Sequence, residues 1–160
     1  MAFQHSTRED LHLVVLGFGR LEEEVKEVAS RTPNVHFKAS VPMEELLKVT
    51  AGADIGFSML SRDCENHENT LPNKLFEYIA ARIPIIVSPV REMSRYVKEY
   101  DLGYVLEENT PEAIVAVIEG IHKGNLQQFK QALEGRSAVF TWEEQEKKLI
   151  ALYDRVLSKS

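Results

Sequence analysis

Three polar residues, Asn73, Lys74 and Glu77, follow directly after Pro72, and each of the first two lies within four positions of Glu77. In a helix that begins at this proline they share one face, and a proline in the first helical turn costs nothing because its missing N–H has no partner there. The unpaired N–H groups and the positive dipole end of a helix favour a phosphate. A carboxylate about one turn further along can accept hydrogen bonds from the hydroxyls of a sugar. With this spacing, one helix could bind both ends of a sugar nucleotide.

The same residues have a simpler interpretation, in which Lys74 and Glu77 form an exposed ion pair of the kind that contributes little. The opposite face of the helix is apolar and is predicted to be buried; it consists of Leu75, Phe76, Ile79, Ala80 and Ile83. A buried strand is expected after Pro84. These residues by themselves leave both interpretations of the polar face open.

A glycine turn near the start of the chain is a second candidate for ligand binding. Residues 11–16 form an almost continuous apolar run, typical of a buried parallel strand. Gly17, Phe18 and Gly19 then break the run before a charged helical segment at 21–30. Strand, glycine turn and helix begin many nucleotide sites, but Glu22 leaves the G-x-G-x-x-G fingerprint incomplete. A G-x-G alone is a weak signal, since such turns also serve backbone geometry.

Strands and helices alternate along the rest of the chain. Strands are predicted at 11–16, 35–39, 53–60, 85–88 and 103–106, and helices at 21–30, 42–50, 72–83, 91–100, 111–121 and 141–157. Residues 1–10 are expected to be a tail or the end of a preceding helix, 11–160 are expected to form one domain, and Gly124 and Gly135 are expected to interrupt the segment before the final helix. This order predicts a Rossmann-like α/β fold: a three-layer sandwich with a mainly parallel sheet and helices on both faces.

Ligands of such sheets gather at the carboxyl ends of the strands. The turn at 17–19, the segment near Ser40 and the loop at 62–73 all follow predicted strands. We therefore expect them to approach one another around a shared site.

Composition narrows the class of protein. The chain has 160 residues, of which 44% are hydrophobic and 28% charged, as in an ordinary globular domain. A net charge of −6 disfavours a nucleic-acid groove. Cys64 is the only cysteine, which excludes an intrachain disulfide and indicates a reducing compartment. No signal pattern and no apolar run of roughly 20 residues is present, so a cytoplasmic chain without a membrane span is expected.

Other side chains are weaker candidates for a functional site. Cys64 and His67 lie three positions apart in a polar loop, but no third ligand is evident, so we expect a solvated loop and no metal. His12 and His36 are expected to be packed or edge residues of strands. Trp142 and Tyr153, at helical spacing in the final helix, are expected to contact the core, with a docking face as the second choice.

The run 71–81, Leu-Pro-Asn-Lys-Leu-Phe-Glu-Tyr-Ile-Ala-Ala, followed by Ile-Pro-Ile-Ile-Val-Ser at 83–88, resembles the donor-binding domain of the retaining group 1 glycosyltransferases. These enzymes have the two-domain B-type fold, and many assemble capsule and surface polysaccharides. The resemblance extends from Leu11 to Leu157. It includes the glycine turn, the strand start at 53–56 and the Thr-Trp-Glu-Glu-Gln helix start at 141–145.

The resemblance implies roles for individual residues. Glu77 corresponds to the carboxylate that binds the donor ribose, and residues 70–74 to the loop and helix start around the diphosphate and sugar. Ser40 and Val41 fall where the backbone meets the nucleobase, although a plain strand end is an equal alternative for these two. The candidate substrate-binding residues are Gly17, Phe18, Gly19, Ser40, Val41, Asn69, Thr70, Leu71, Pro72, Asn73, Lys74 and Glu77.

The chain also departs from the family pattern. Many members carry an acidic residue eight positions before the Glu77 equivalent, where this chain has Asn69, with Glu68 adjacent. Arg82 stands where glycine is usual. The arginine and lysine that usually clamp the diphosphate precede Leu11 in the family and have no counterpart here. No acceptor-binding N-terminal domain is encoded in these 160 residues.

The resemblance implies an enzyme of the hexosyltransferase type, which transfers a sugar from a nucleotide diphosphate sugar to an acceptor hydroxyl with retention, in polysaccharide or glycoconjugate synthesis. It implies no cofactor and no metal. The expected partners are the nucleotide-sugar donor and an N-terminal acceptor-binding domain or separate subunit, through which the protein would meet a membrane peripherally if at all. The chain alone is expected to be inactive. The alternative is a non-catalytic module, binding a nucleotide or a partner, on the same fold.

Overall fold

The computed structural model describes Phe3 and residues 8–158. The strands are β1 (Leu13–Gly17), β2 (Val35–Ala39), β3 (Gly56–Ser58), β4 (Ile85–Val87) and β5 (Gly103–Val105). The helices are α1 (Glu22–Arg31), α2 (Met43–Thr50), α3 (Glu65–Glu68), α4 (Asn73–Ala80), α5 (Arg91–Tyr100), α6 (Pro111–Glu119), α7 (Lys123–Arg136) and α8 (Trp142–Leu157). A 3₁₀ turn, Ser137–Phe140, joins α7 to α8.

All strand pairing among the described residues is parallel. β1 pairs with β2, and Gly17 stands opposite Ala39, so the two strands end together. β3, β4 and β5 form a second hydrogen-bonded ladder with β4 in the centre. Strands that end at the same level bring the loops that follow them to one edge, as the predicted parallel sheet requires.

β4 lies between two apolar layers. Ile85 and Val87 belong to one cluster with Leu75 of α4 and Met93 of α5. Ile86, which points the opposite way, packs in a second cluster with residues of β2 and α6. A strand buried on both faces is typical of a parallel α/β sheet. The predicted α/β class with helices on both faces is therefore confirmed.

Two N-terminal residues, Phe3 and Arg8, contact the domain. Phe3 is buried with its ring edge-on to Phe57, at 6.1 Å between centroids. The Arg8 guanidinium donates to the carbonyl oxygens of Ile118 and Ile121, at 3.3 and 2.6 Å, at the end of α6. Phe3 and Arg8 are thus held against the domain, while the prediction for residues 1–10 as a whole falls mostly outside the described residues.

Two expectations about the C-terminal part were wrong. Gly124 and Gly135 do not interrupt the chain, because both lie inside α7. Trp142 and Tyr153 do not contact the core, since their exposed fractions are 64% and 61%, and α8 buries no residue. Apolar residues at helical spacing indicate a face that favours burial, but the spacing does not say what covers it.

None of the helices in the described part of the chain is long and apolar enough to cross a lipid bilayer.

A left-handed residue that is not glycine ends α4. Arg82 has φ 58°, while its N–H donates to Ile79 O at 3.0 Å and the next N–H, of Ile83, donates to Tyr78 O at 3.1 Å. These two bonds form the pattern that closes many helices, in which glycine usually takes the left-handed position. The structure thus explains why the family pattern has glycine where this chain has arginine.

Candidate functional site

Packing of α4 against the sheet determines which of its side chains face outward. Leu75 and Ile79 are buried, and the Tyr78 hydroxyl donates to Phe57 O at 3.1 Å. The Tyr78 ring lies so close to Gly56 that a Cβ there would come within 2.6 Å of it. Burial raises the pKa of Tyr78, and the nearby negative charge of Glu77 raises it further. With this side of α4 fixed, its polar residues lie on the opposite side.

The first turn of α4 is free of capping side chains. Pro72 is the N-cap residue, no side chain caps the helix, and the first turn contains no acidic residue. The Leu75 N–H donates to Pro72 O at 3.0 Å, but the N–H groups of Asn73 and Lys74 keep their hydrogen-bonding capacity, and the positive dipole end is not neutralised locally. An anion of the size of a phosphate fits this arrangement.

Lys74 and Glu77 do not pair with each other. Among the described residues, neither side chain forms an ion pair or a hydrogen bond; Lys74 is exposed and Glu77 is half-buried. The simpler interpretation of these residues as a surface ion pair is thus not what the structure shows. A half-buried carboxylate without a partner retains its full capacity to accept hydrogen bonds from a ligand.

Beside Glu77 runs a groove of about 450 Å³ between α2 and α4, which we call the α2–α4 groove. Its polar groups are Asn73 and Glu77, and its apolar lining is Met43, Leu46, Leu47, Phe76, Ala80 and Phe140. The groove is open to solvent, mostly apolar and large enough for part of a small molecule, with few polar groups to orient it. Met43 begins α2 immediately after the loop that carries Ser40 and Val41, so the groove connects that loop to α4.

The glycine turn at 17–19 follows β1, and the loop with Ser40 and Val41 follows β2, so both lie at the same end of the β1–β2 pair. Gly17 and Gly19 have φ 150° and 149°, a conformation that favours glycine. A Cβ added at either position would meet no atom within 4 Å, and the Phe18 side chain is 85% exposed. Ser40 is exposed and Val41 half-buried. Among the described residues, no hydrogen bond or ion pair joins this turn to α4, and the space beside Gly17 and Gly19 is open.

The acidic loop before α4 faces away from the α2–α4 groove. Glu68 accepts hydrogen bonds from Arg62 Nε at 2.7 Å and from the backbone N–H of Arg91 at 2.8 Å. Its side chain is only 12% exposed, and the Arg62 guanidinium, together with that N–H, lowers its pKa. Glu68 therefore occupies the N-terminal end of α5.

Asn69 and Thr70 are also engaged within this loop. Asn69 Oδ1 accepts from Arg91 Nη1 at 3.2 Å, and its Nδ2 donates to Glu65 O at 2.9 Å. The Thr70 hydroxyl donates to the carbonyl oxygen of Asn66. Neither Glu68 nor Asn69 lines the α2–α4 groove, whereas Leu71 and Pro72, both half-buried, lead the chain back to it.

A second, larger cavity of about 830 Å³ lies between this loop, α5 and the end of β5. Glu68 and Arg91 both line it. The α5 N-terminus at its wall is already occupied by Glu68, which leaves this helix end no free N–H at that position for a phosphate.

The apolar wall of the α2–α4 groove was not predicted from the sequence. Met43 is 77% exposed and Phe140 packs edge-on to Tyr100, at 4.9 Å between ring centroids. These residues come from distant parts of the chain, and no local pattern marks them as neighbours of Glu77.

The model of the family described as glycosyl transferases group 1 matches residues 2–123, which include the glycine turn, the acidic loop and the whole of α4. The chain belongs to this family. No curated protein matches it.

Among solved structures, this group 1 chain is similar in fold to WaaG, a glycosyltransferase involved in lipopolysaccharide biosynthesis. The TM-score is 0.66 at 17% sequence identity, and the match covers 86% of this chain. The chain spans 37% of the length of that structure.

Proposed function

We propose that this chain is the donor-binding domain of a retaining glycosyltransferase, which transfers a sugar from a nucleotide diphosphate sugar to an acceptor hydroxyl. The observation that supports this most is the unpaired, half-buried carboxylate of Glu77, one turn inside a helix whose N-terminus has no cap. The family match includes the whole of α4, and the resemblance of residues 71–88 to the donor-binding domain of this family gives Glu77 the same role.

In this proposal α4 contacts the two parts of the donor that carry most of its polarity. Glu77 accepts hydrogen bonds from the ribose hydroxyls, while Lys74 and the N–H groups near Asn73 contact the diphosphate. The base lies toward Ser40 and Val41, and the donor passes below the open turn at 17–19. Residues 69–72 form the loop that leads into the site.

Lys74 and the helix dipole would also promote the reaction. When the bond between sugar and diphosphate breaks, negative charge develops on the leaving phosphate oxygen. A cation and N–H groups already oriented toward that oxygen stabilise this charge without reorganisation. The protein groups supply the neutralisation, so the proposed transfer requires no metal and no cofactor.

The acceptor would bind to a second domain or subunit. α8 supports this part of the proposal, because an exposed apolar surface of this extent favours contact with another protein surface. Its exposed apolar residues are Trp142, Leu149, Ile150, Leu152, Tyr153, Val156 and Leu157. The whole enzyme would then act in the cytoplasm, in the synthesis of a polysaccharide or glycoconjugate.

One observation favours a second candidate, a module on the same fold that binds nucleotides without catalysis. Glu68 is bound to α5 and Asn69 carries no charge, so Glu77 is the only carboxylate that the described residues bring to the groove. A domain that binds the nucleotide but does not orient the sugar would not need a second carboxylate.

A thermal-shift panel distinguishes these two proposals. A ligand present at about ten times its dissociation constant stabilises the folded state by about 1.4 kcal/mol. We expect nucleoside diphosphates and their sugars, tested at about 10 mM to allow for a dissociation constant of about 1 mM, to raise the melting temperature, and the sugar moiety to add stabilisation. Equal shifts with and without the sugar would support the non-catalytic module. No shift with any diphosphate would refute both.

A further inference from the structure

Three side chains that favour metal ions converge in the loop before α4. The ligand atoms of Asp63, Cys64 and His67 all lie within 4.8 Å of one another, and Asp63 Oδ1 is 2.9 Å from His67 Nδ1. The sequence pointed to Cys64 and His67 but to no third ligand. The structure adds Asp63. We propose that these three residues form a binding site for a thiophilic divalent cation of the zinc class.

The donor set matches the coordination chemistry of zinc. Zinc binds thiolate, imidazole and carboxylate groups, at about 2.3 Å from sulfur and about 2.0–2.2 Å from nitrogen or oxygen. Two ligands that share one ion are then separated by about 3–3.5 Å. The carboxylate and imidazole of this cluster pair directly at 2.9 Å and would separate slightly to admit an ion between them, while the thiol needs to approach by little more than an ångström.

A further oxygen lies at the same place. The Ser61 carbonyl oxygen is 3.0 Å from His67 Nδ1, and the Ser61 hydroxyl is 2.9 Å from Asp63 Oδ1. Tetrahedral zinc with three side-chain ligands takes a fourth oxygen, from water or from a carbonyl group. Ser61 can supply this oxygen directly or orient a bound water.

The basic residues of the loop do not neutralise this cluster. Arg62 donates to Glu68, and Arg91 pairs with Glu65 at 3.8 Å and with Asn69 at 3.2 Å. In the described part of the chain, Asp63 has no lysine or arginine partner within 4.0 Å. The loop thus pairs its other acidic groups with arginines and leaves Asp63 beside an imidazole and a thiol.

An ion can reach the cluster from solvent. Asp63 and Cys64 are exposed and line the larger cavity, away from the α2–α4 groove. A bound ion would fix the turn from Ser61 to His67, which directly precedes the segment that enters α4. The inference is independent of nucleotide binding and holds whether or not the proposed transferase activity is correct.

Cobalt titration of the full chain under reducing conditions tests the site, because a thiolate bound to Co²⁺ gives a charge-transfer band in the near ultraviolet. We expect this band in the wild type, saturating at one ion per chain and displaced by Zn²⁺. Asp63→Asn and His67→Gln are each expected to weaken the affinity by about tenfold or more, since even outer-shell partners contribute about 10–100-fold. Glu65→Gln, a change at an exposed carboxylate of the same loop outside the set, should bind cobalt as the wild type does.

Three outcomes would overturn the inference. The first is the absence of the band in the wild type. The second is unchanged affinity in Asp63→Asn and His67→Gln, which would reduce the site to a single reactive thiol. The third is saturation at one ion per two chains, which would indicate that Cys64 residues of two molecules share the metal. Circular dichroism of each variant verifies that it is folded.

Discussion

The backbone N–H of Arg91 donates a hydrogen bond to Glu68 at 2.8 Å, so the loop before α4 is attached to the first turn of α5. Arg62 Nε donates to the other carboxylate oxygen at 2.7 Å. A negative charge at this end of a helix is favourable because it meets unpaired N–H groups and the positive dipole end. Glu68 is therefore a positioning residue of the loop that leads to the proposed diphosphate site.

The Glu68 contacts predict a pH dependence of stability. They lower the folded-state pKa of Glu68 below its ordinary value of 4.5, so their stabilisation is present above that value and is lost as the pH falls through the lower, folded pKa. We expect Glu68→Gln to melt below the wild type at pH 7 and the difference to shrink in acid. Thermal melts from pH 7 to pH 3 measure it, with Glu24→Gln, on the exposed face of α1, as control. A difference that stays constant with pH would contradict the account.

Arg82 offers a test of the end of α4. A left-handed conformation costs a residue with a Cβ about 1–2 kcal/mol. Glycine avoids this cost, but its greater freedom in the unfolded chain lowers the stability of the folded state by about 0.5–1 kcal/mol. We therefore expect Arg82→Gly to stabilise the chain by about 0.5–1 kcal/mol, measured by urea unfolding. Arg82→Ala removes the same charge but keeps the Cβ, and it should not stabilise. Equal effects of the two variants would assign the change to charge instead of backbone conformation.

The sequence was most informative where the signal is local. Pro72 predicted the start of α4 to within one residue, but the helix ends at Ala80 instead of 83. Asn73 and Glu77 face the α2–α4 groove together with Phe76 and Ala80, two residues of the stripe that was expected to be buried. The buried strand after Pro84 is likewise present. In both elements the information is contained in a few adjacent residues, so the rest of the fold did not have to be known.

Relationships between distant segments could not be predicted in this way. Phe140 lines the groove beside Glu77 through tertiary packing alone. The contact of Asp63 with His67 is local, since the two are four residues apart, and it was missed because the turn of helix α3 was predicted as loop. Whether Trp142 is buried depends on whether another surface covers α8, and helical spacing alone does not show this.

Lys74 is predicted to contact the diphosphate. Lys74→Ala should weaken the binding of a nucleoside diphosphate by about tenfold, or about 1.4 kcal/mol, and should reduce the loss of affinity as salt is raised, since the contact is electrostatic. Lys48→Ala, at an exposed lysine of α2, is the matched control. Equal binding of nucleoside and nucleoside diphosphate would show that the anion site is elsewhere.

The chain alone is predicted to bind a donor without transferring its sugar. Closure of two domains excludes water and assembles the catalytic site in enzymes of this kind of architecture, and the acceptor needs a surface of its own. We expect no glycosyl transfer when the purified chain is incubated with nucleotide sugars and a panel of hydroxyl acceptors. Robust transfer without a second protein would mean that this chain is a complete enzyme.

The most direct test of the central claim is a calorimetric titration of the wild type and Glu77→Ala with a nucleoside diphosphate, at ligand concentrations that allow for a dissociation constant of about 1 mM, or about 4 kcal/mol of binding. Each charge-assisted hydrogen bond from the ribose contributes about 1.5–3 kcal/mol. Glu77→Ala should therefore abolish measurable binding and leave the melting temperature nearly unchanged, because the carboxylate has no partner within the described chain. Glu134→Ala, at an exposed carboxylate of α7, should bind as the wild type does. Wild-type affinity in Glu77→Ala would contradict the assignment of the donor site to α4.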